Sequence, residues 1–592
     1  MGSGSFDFTM GIGGEAGQGI ATPGDILARI FVRRGLHLST YNAYQSIVRG
    51  GHIFLTVRVG DRKIYSHGDR LDLLLCLNQD TMDRHLRLMD SGGRVVYNSD
   101  LVKPGEAREG VQRCPIPVAE VTKSRNKLAQ NTMAVGAVAA LLGLDFQTLQ
   151  DSLILRFQRQ GQRVVDENVG VAQAGYDYVS ANYEPISTSV PFGPTPLAVW
   201  SGNDALAMGG AAAGMKFYVA YPMSPSSGVL HWVAQNARSL GIMVRQVEDE
   251  LAVANMAIGA AHSGCRTMCA TSGGGFSLMT EAVGAASMME VPVVFINVQR
   301  AGPSTGVPTK TEQGDLWQAI GASQGDYERF IVAPMDALDS YNTVVELFNL
   351  TDKFQCPGII LSDLLIAEGR FSVAADDIDM HPVIDRGELV TEPSAANGYL
   401  RYKITESGIS PRALPGLEGH AYVAATDEHD EDSTLLSDEL TDARKRRAMV
   451  EKRARKFKNA VDDIEPPRLL GPEDAEVTLI GWGSTYGVIQ DAVEQLKLQG
   501  VTANHLPIKW MVPFHGDAVT SILSRSKRTI IVENNFSGQF FRHLRGETGF
   551  TVDGNIRKYD GEPFMPHHIV DGVLAQLAGK TDRYIPYHEV RT

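Results

Sequence analysis

Residues 217–227 read Phe-Tyr-Val-Ala-Tyr-Pro-Met-Ser-Pro-Ser-Ser, an apolar run that breaks into prolines and hydroxyls. The same grammar recurs three times downstream. Residues 243–248 run out into Glu248-Asp249-Glu250, residues 267–272 into Ser272-Gly273-Gly274-Gly275, and residues 291–299 into Gln299-Arg300-Ala301-Gly302-Pro303-Ser304-Thr305-Gly306. Two more runs, 330–334 and 358–364, complete six candidate strands. Short apolar runs alternating with helix-length segments predict a parallel sheet covered on both faces. Ligands of such open sheets bind outside the carboxyl ends of the strands, so the hydroxyls, carboxylates, glycines and arginine ending the first four runs converge on one rim. Each also has a local reading: Ser224 and Ser226 as helix caps with Pro225 in the first turn, the glycines as relief at a tight turn, Glu250 as a charge suited to a helix N-terminus, Arg300 as the partner of a nearby acid. Four such features at successive strand ends point to a binding site.

At 592 residues the chain exceeds what one hydrophobic core supports, and the pattern reads as a multidomain α/β protein. Residues 1–190 form one α/β unit, 191–380 the parallel-sheet unit, 381–470 a linker with a charged helix, and 471–592 a last α/β unit. The stretch 158–196 reads as loosely structured. The charged helix, near 437–462, places Asp442 four residues before Arg446 and Glu451 four before Arg455, a spacing suited to a solvated or subunit-bridging helix. In the first unit Gly11 and Gly13, with Ala16 in third place, follow a strand at 6–10 and imitate a dinucleotide fingerprint. No acid ends the next strand, at 36–41, where a ribose ligand would stand, so NAD is disfavoured.

Hydrophobic residues are 43% and charged residues 21% of the chain, as in ordinary globular enzymes. No apolar run approaches the ~18–20 residues of a membrane span, and the N-terminus lacks the basic start and apolar stretch of a secretory signal. A cytoplasmic location is expected. A net charge of −14 argues against nucleic acid, whose phosphates call for surplus Lys and Arg. The five cysteines are scattered; Cys265 and Cys269, the close pair, lie beside and inside an apolar strand and read as core residues rather than cluster ligands. No metal site is expected on this chain.

The ordered set Tyr-Pro-Met-Ser-Pro-Ser-Ser, Glu-Asp-Glu, Ala-Thr-Ser-Gly-Gly-Gly and Gln-Arg-Ala-Gly-Pro-Ser-Thr-Gly resembles the α subunits of 2-oxoacid:ferredoxin oxidoreductases, where Ser224 stands in place of a signature threonine. A weaker likeness to the family's γ subunit runs through Gly-Ile-Gly-Gly-Glu-Ala-Gly-Gln-Gly and the motif at 46–52, and residues from about 470 resemble a transketolase C-terminal domain. The resemblance implies a fused γ–α chain with a thiamine-diphosphate-binding, pyrimidine-type domain. It makes Glu250 the acid that hydrogen-bonds the aminopyrimidine and Arg300 the receiver of the substrate carboxylate, with hydroxyls from Ser224, Thr305 and Thr309 around the reacting groups. Ser224, Pro225, Ser272 and Gly273 would border the cofactor, and Arg49 of the γ unit would approach coenzyme A. Lys310 either meets a second substrate carboxylate or faces solvent.

The Gly-Asp-Gly motif that holds the cofactor's diphosphate through Mg2+ occurs nowhere in the sequence. A β subunit carrying that motif and a 4Fe–4S cluster is therefore expected, in an (αβ)2 assembly that reduces ferredoxin. The leading expectation is coenzyme A-dependent oxidation of 2-oxoglutarate. Pyruvate or branched-chain 2-oxoacids are alternatives, and a catalytically silent, nucleotide-responsive binding subunit is a reading from another class.

Overall fold

The computed structural model describes residues 5–17, 19–45, 50–106, 109–122, 127–186, 189–393, 398–436 and 442–587. It contains three main sheets, two of which draw strands from more than one of the regions read from the pattern. The central sheet runs Trp510–Val512, Phe330–Val332, Gly358–Asp363, Val294–Gln299, Thr267–Thr271, Phe217–Ala220, Met243–Gln246. All but the first of these strands are parallel. Every residue of Thr267–Thr271, Val294–Gln299 and Gly358–Asp363 is buried, because helices cover both faces; this is why these strands read as mainly apolar runs without polar alternation. Trp510–Val512 is an antiparallel edge contributed by the C-terminal region, so the two units share one core in which Phe276 and Leu316 belong to the same cluster as Trp482 and Phe540.

The N-terminal sheet has eight strands: Gln112–Ile116, Met89–Asn98, Leu71–Cys76, Asp7–Glu15, His52–Gly60, His37–Ala43, Arg370–Val373 and Ala198–Ser201. The last two come from the segments flanking the central sheet, with Phe371 opposite Ser39 and Trp200 opposite Phe371. The C-terminal sheet, Ala503–Ile508, Val477–Trp482, Thr529–Glu533, Gly554–Arg557, Arg583–Tyr584, is parallel throughout.

Three expectations need correction. Gly11 and Gly13 do not follow a strand; they lie inside Asp7–Glu15, which pairs with His52–Gly60 along its whole length. A Cβ at Gly11 would come within 2.5 Å of the Phe54 ring and one at Gly13 within 2.4 Å of Thr81, so these glycines serve packing rather than a phosphate loop. The stretch expected to be loose contains the 21-residue helix Gln162–Asn182. Its buried residues are only Val165, Ala172, Gly175 and Val179, a stripe too thin to stand out, and it packs so closely on Lys127–Leu141 that a Cβ at Gly175 would come within 2.3 Å of the Met133 carbonyl oxygen. The charged helix, Ala443–Lys458, is not solvated on all sides: Lys452 and Lys456 are fully buried and both bind Glu290, at 2.6 and 3.0 Å. The acid–base spacing is also used differently, since Asp442 caps the helix through the Arg444 N–H while Arg446 pairs with Glu428.

Candidate active site

Strand order brings the four polar strand ends side by side. Val294–Gln299, Thr267–Thr271, Phe217–Ala220 and Met243–Gln246 are successive neighbours, so Arg300, Ser272, Ser224 and Glu250 line one carboxyl edge.

Beyond Met243–Gln246 the chain turns through three acids. Asp249 takes the cap, its carboxylate accepting the Ala252 N–H at 2.7 Å, which leaves Glu250 at the first helical position of Glu250–His262. Glu248 and Asp249 are exposed, whereas Glu250 is 4% exposed, so burial distinguishes the one acid the site encloses. Its Oε1 is buried with no hydrogen-bond partner. Gly275 closes over it: a Cβ there would come within 2.5 Å of Oε1 and 2.1 Å of Thr271 Oγ1, so only glycine permits this approach. The Thr271 hydroxyl in turn donates to Met223 Sδ at 3.8 Å, joining this pocket to the 221–226 turn.

Ser224 is exposed and Pro225 buried. The helix expected to follow, Ser227–Leu240, gains no side-chain cap from Ser226, whose hydroxyl donates to the Met223 carbonyl at 2.8 Å. Asn203 donates to the Pro225 carbonyl, also at 2.8 Å, fixing the turn from beneath. Arg300 is half-buried and its Nη1 donates to the Ser224 carbonyl at 2.7 Å; its Nε is buried without a hydrogen-bond partner. Burial lowers the guanidinium pKa from its ordinary value, and the Asp315 carboxylate opposes that shift. Ser272 is fully buried ahead of Gly273–Met288, with an Oγ that caps nothing and has no partner. Gly273 lies against Asp315, whose carboxylate a Cβ would meet at 2.4 Å. Thr305 is exposed and Thr309 is buried, while Lys310 pairs with Glu562 of the C-terminal unit. Arg49 lies outside the described residues.

Several polar residues here were not anticipated. Asp315 accepts from Asn297 at 3.1 Å; burial pushes its pKa up to about 6 against the pull of Asn297 and Arg300. Glu312 is raised to about 7 by burial and by the Asp560 and Asp315 carboxylates. Gln299 Oε1 accepts the Asp315 N–H at 3.0 Å, and Gln313 is locked to Asn534 and Trp482 of the C-terminal unit. Asn297 and Gln299 sit within an apolar strand as its inconspicuous polar members, and their partners are 16 or more residues away.

A buried carboxyl oxygen and a buried hydroxyl, both without partners, beside a glycine turn that admits close approach, suit a planar heterocycle with N–H donors and ring-nitrogen acceptors; the aminopyrimidine of thiamine diphosphate fits these residues. Among the described residues no group of three or more His, Cys, Asp or Glu is arranged to hold a metal ion, and no helix is long and apolar enough to cross a membrane.

Three family descriptions match in succession: pyruvate ferredoxin/flavodoxin oxidoreductase over 9–178, the thiamine-diphosphate-binding region of pyruvate flavodoxin/ferredoxin oxidoreductase over 209–451, and pyruvate:ferredoxin oxidoreductase core domain II over 475–569. The chain is 31% identical to 2-oxoacid:ferredoxin oxidoreductase 2 subunit alpha of Aeropyrum pernix, covering 98% of this chain and 99% of that one. It is 28% identical to the 2-oxoglutarate oxidoreductase subunit KorA of Mycobacterium tuberculosis, over 96% and 91% of the two chains. Among solved structures, the 2-oxoglutarate:ferredoxin oxidoreductase of Magnetococcus marinus, with 2-oxoglutarate, coenzyme A and succinyl-CoA bound, aligns with a TM-score of 0.89 at 31% identity, over 96% of this chain and 99% of that one. With the rim residues, the three sheets and these relatives agreeing along nearly its whole length, the chain belongs to the 2-oxoacid:ferredoxin oxidoreductase α-subunit family, oxidoreductases built on a thiamine-diphosphate-binding domain.

Proposed function

We propose that this chain is the α subunit of a 2-oxoglutarate:ferredoxin oxidoreductase, which converts 2-oxoglutarate and coenzyme A reversibly to succinyl-CoA and carbon dioxide while reducing ferredoxin. The observation that carries the reading is the pairing, on one rim, of the enclosed Glu250 carboxyl and the half-buried Arg300 guanidinium. The substrate assignment draws on whole-length likeness to a 2-oxoglutarate enzyme of Magnetococcus marinus and to a mycobacterial 2-oxoglutarate oxidoreductase subunit.

Thiamine diphosphate, when bound, supplies the electron sink that decarboxylation of a 2-oxoacid requires and that no side chain provides. Glu250 would hold a proton between its Oε1 and a ring nitrogen, in a cleft where Gly275 leaves room beside that oxygen and no protein group competes for it. Ser272 and the Ser224–Pro225 turn would border the ring. Arg300 would receive the oxoacid carboxylate through donors not engaged by Ser224; a permanently charged planar fork suits this better than an ammonium. Ser224, Thr305 and Thr309 are proposed hydroxyl contributors around the substrate, and Arg49 a contact for coenzyme A phosphates.

Because no Gly-Asp-Gly occurs in the sequence, we further propose that the Mg2+–diphosphate grip belongs to a β subunit, which would also carry the 4Fe–4S cluster in an (αβ)2 enzyme. The test is an assay of the assembled complex with coenzyme A and ferredoxin against 2-oxoglutarate, pyruvate and branched-chain 2-oxoacids. The reading expects kcat/KM for 2-oxoglutarate to exceed the others by about tenfold or more; a preference for pyruvate overturns the substrate assignment, and no turnover of any oxoacid overturns the reaction.

A further inference from the structure

The excursion that follows Arg300 is folded back on its own start. Val307 N–H donates to the Ala301 carbonyl at 2.8 Å, Lys310 N–H to Val307 at 3.0 Å, and Ala301 N–H to the Lys310 carbonyl at 3.0 Å. The backbone of Lys310 therefore lies beside that of Arg300. From this point the Lys310 side chain leaves the sheet edge and pairs with Glu562, the two side chains being 15% and 4% exposed. The other carboxylate oxygen of Glu562 accepts the Tyr41 hydroxyl at 2.6 Å, from strand His37–Ala43 of the N-terminal sheet. Burial and the Glu562 charge hold the Tyr41 hydroxyl protonated, so it is the donor. The backbone follows the same route: Thr311 N–H donates to the Gly561 carbonyl at 3.0 Å. Gly561 has φ +81°, and a Cβ there would come within 2.9 Å of Lys310 Cβ. One carboxylate thus gathers segments from all three sheet-bearing regions at the foot of the Arg300 loop.

A buried ion pair costs much of its Coulomb gain in desolvation, and its best-attested use is to fix one register among several. We propose that Glu562 is a positioning residue for the oxoacid, acting through Lys310 and the loop backbone to fix the Arg300 guanidinium, with Tyr41 orienting the carboxylate. This rests on the reading of Arg300 as receiver of the substrate carboxylate. It also assigns Lys310 to the loop rather than to a second substrate carboxylate.

The experiment uses the assembled α–β enzyme. Glu562→Gln should raise the KM for 2-oxoglutarate by about tenfold, as for a guanidinium displaced by a fraction of an ångström, with kcat within about twofold and the KM for coenzyme A unchanged. Tyr41→Phe, the milder change, should raise the same KM about two- to threefold and carries the test if Glu562→Gln fails to assemble. In an Arg300→Ala background, Glu562→Gln should add less than about twofold, because both act on one contact. A normal oxoacid KM in both variants while Arg300→Ala is impaired overturns the positioning role alone, as does full additivity with Arg300→Ala. An Arg300→Ala enzyme with normal oxoacid kinetics overturns the underlying reading and this proposal with it.

Discussion

Glu250 and its two acidic neighbours show what a single residue's surroundings decide. In the sequence any of Glu248, Asp249 and Glu250 could serve the site; the helix cap at Asp249 turns the next carboxyl inward and leaves its Oε1 without a protein partner. Glu250→Gln conserves shape, so thermal unfolding should shift by less than about 1 °C, under about 1 kcal/mol for a chain of this length. Hydrogen exchange at the thiazolium C2 of bound cofactor, followed by NMR, should slow by about 100-fold or more; unchanged exchange excludes the role. Arg300→Ala removes the rim cation and should lower kcat/KM for the oxoacid by about 30-fold, near 2 kcal/mol, while thiamine diphosphate still binds. A loss below twofold in steady-state kinetics would tell against it. Ser224 and Arg300 could be placed on the rim because each ends an apolar run. Asp315 was not: its contacts with Asn297 and the Arg300 charge arise only when strand Val294–Gln299 is set against the loop that returns 15 residues later.

Helix Ala443–Lys458 is the element whose sequence misleads most. Lysines are seldom fully buried unless paired, so a run of bases reads as solvated, and the acid that makes their burial possible is 162 residues distant from Lys452. Glu290 receives both ammonium groups at a residue with φ +54°, and Arg401 lies near enough to add its charge. Burial would push the Glu290 carboxyl up, but the three cations hold it far below the usual range. Glu290→Gln leaves two buried ammonium groups without a counter-ion and should destabilise by about 3–5 kcal/mol, measured as a lower urea midpoint. The sign with pH follows from the depressed carboxyl. Its contribution is complete above the unfolded value near 4.5 and is lost as the pH falls below that, so the gap between wild type and Glu290→Gln should narrow on acidification. Asp352 repeats the design with Arg266, Arg386 and Arg412, at 2.8–2.9 Å, and together these clusters bind the irregular linker to the back of the central unit. By contrast, the buried central strands were legible, because burial on both faces leaves a mainly apolar signature without polar alternation.

At the scale of the molecule, the proposed pyrimidine-facing rim lies on a chain whose sequence holds no Gly-Asp-Gly, and the proposed division of the cofactor site predicts cooperation between chains. The isolated chain should bind thiamine diphosphate at least about tenfold more weakly than the α–β complex in calorimetric titration with Mg2+ present, since the charged tail carries much of the grip. Equal affinity would refute the division of labour. Three α/β regions could be counted from alternating periodicity, yet periodicity names no neighbours, and nothing in the local pattern of Ala198–Ser201 or Arg370–Val373 revealed that both join the N-terminal sheet. That arrangement has an evolutionary corollary. Severing the connection ahead of Ala198 would give two polypeptides with complementary raw edges, His37–Ala43 on one and Arg370–Val373 on the other, whose unmet amides and carbonyls favour rejoining. Across this seam the covalent link raises the local concentration of edges that already meet at Phe371 and Ser39.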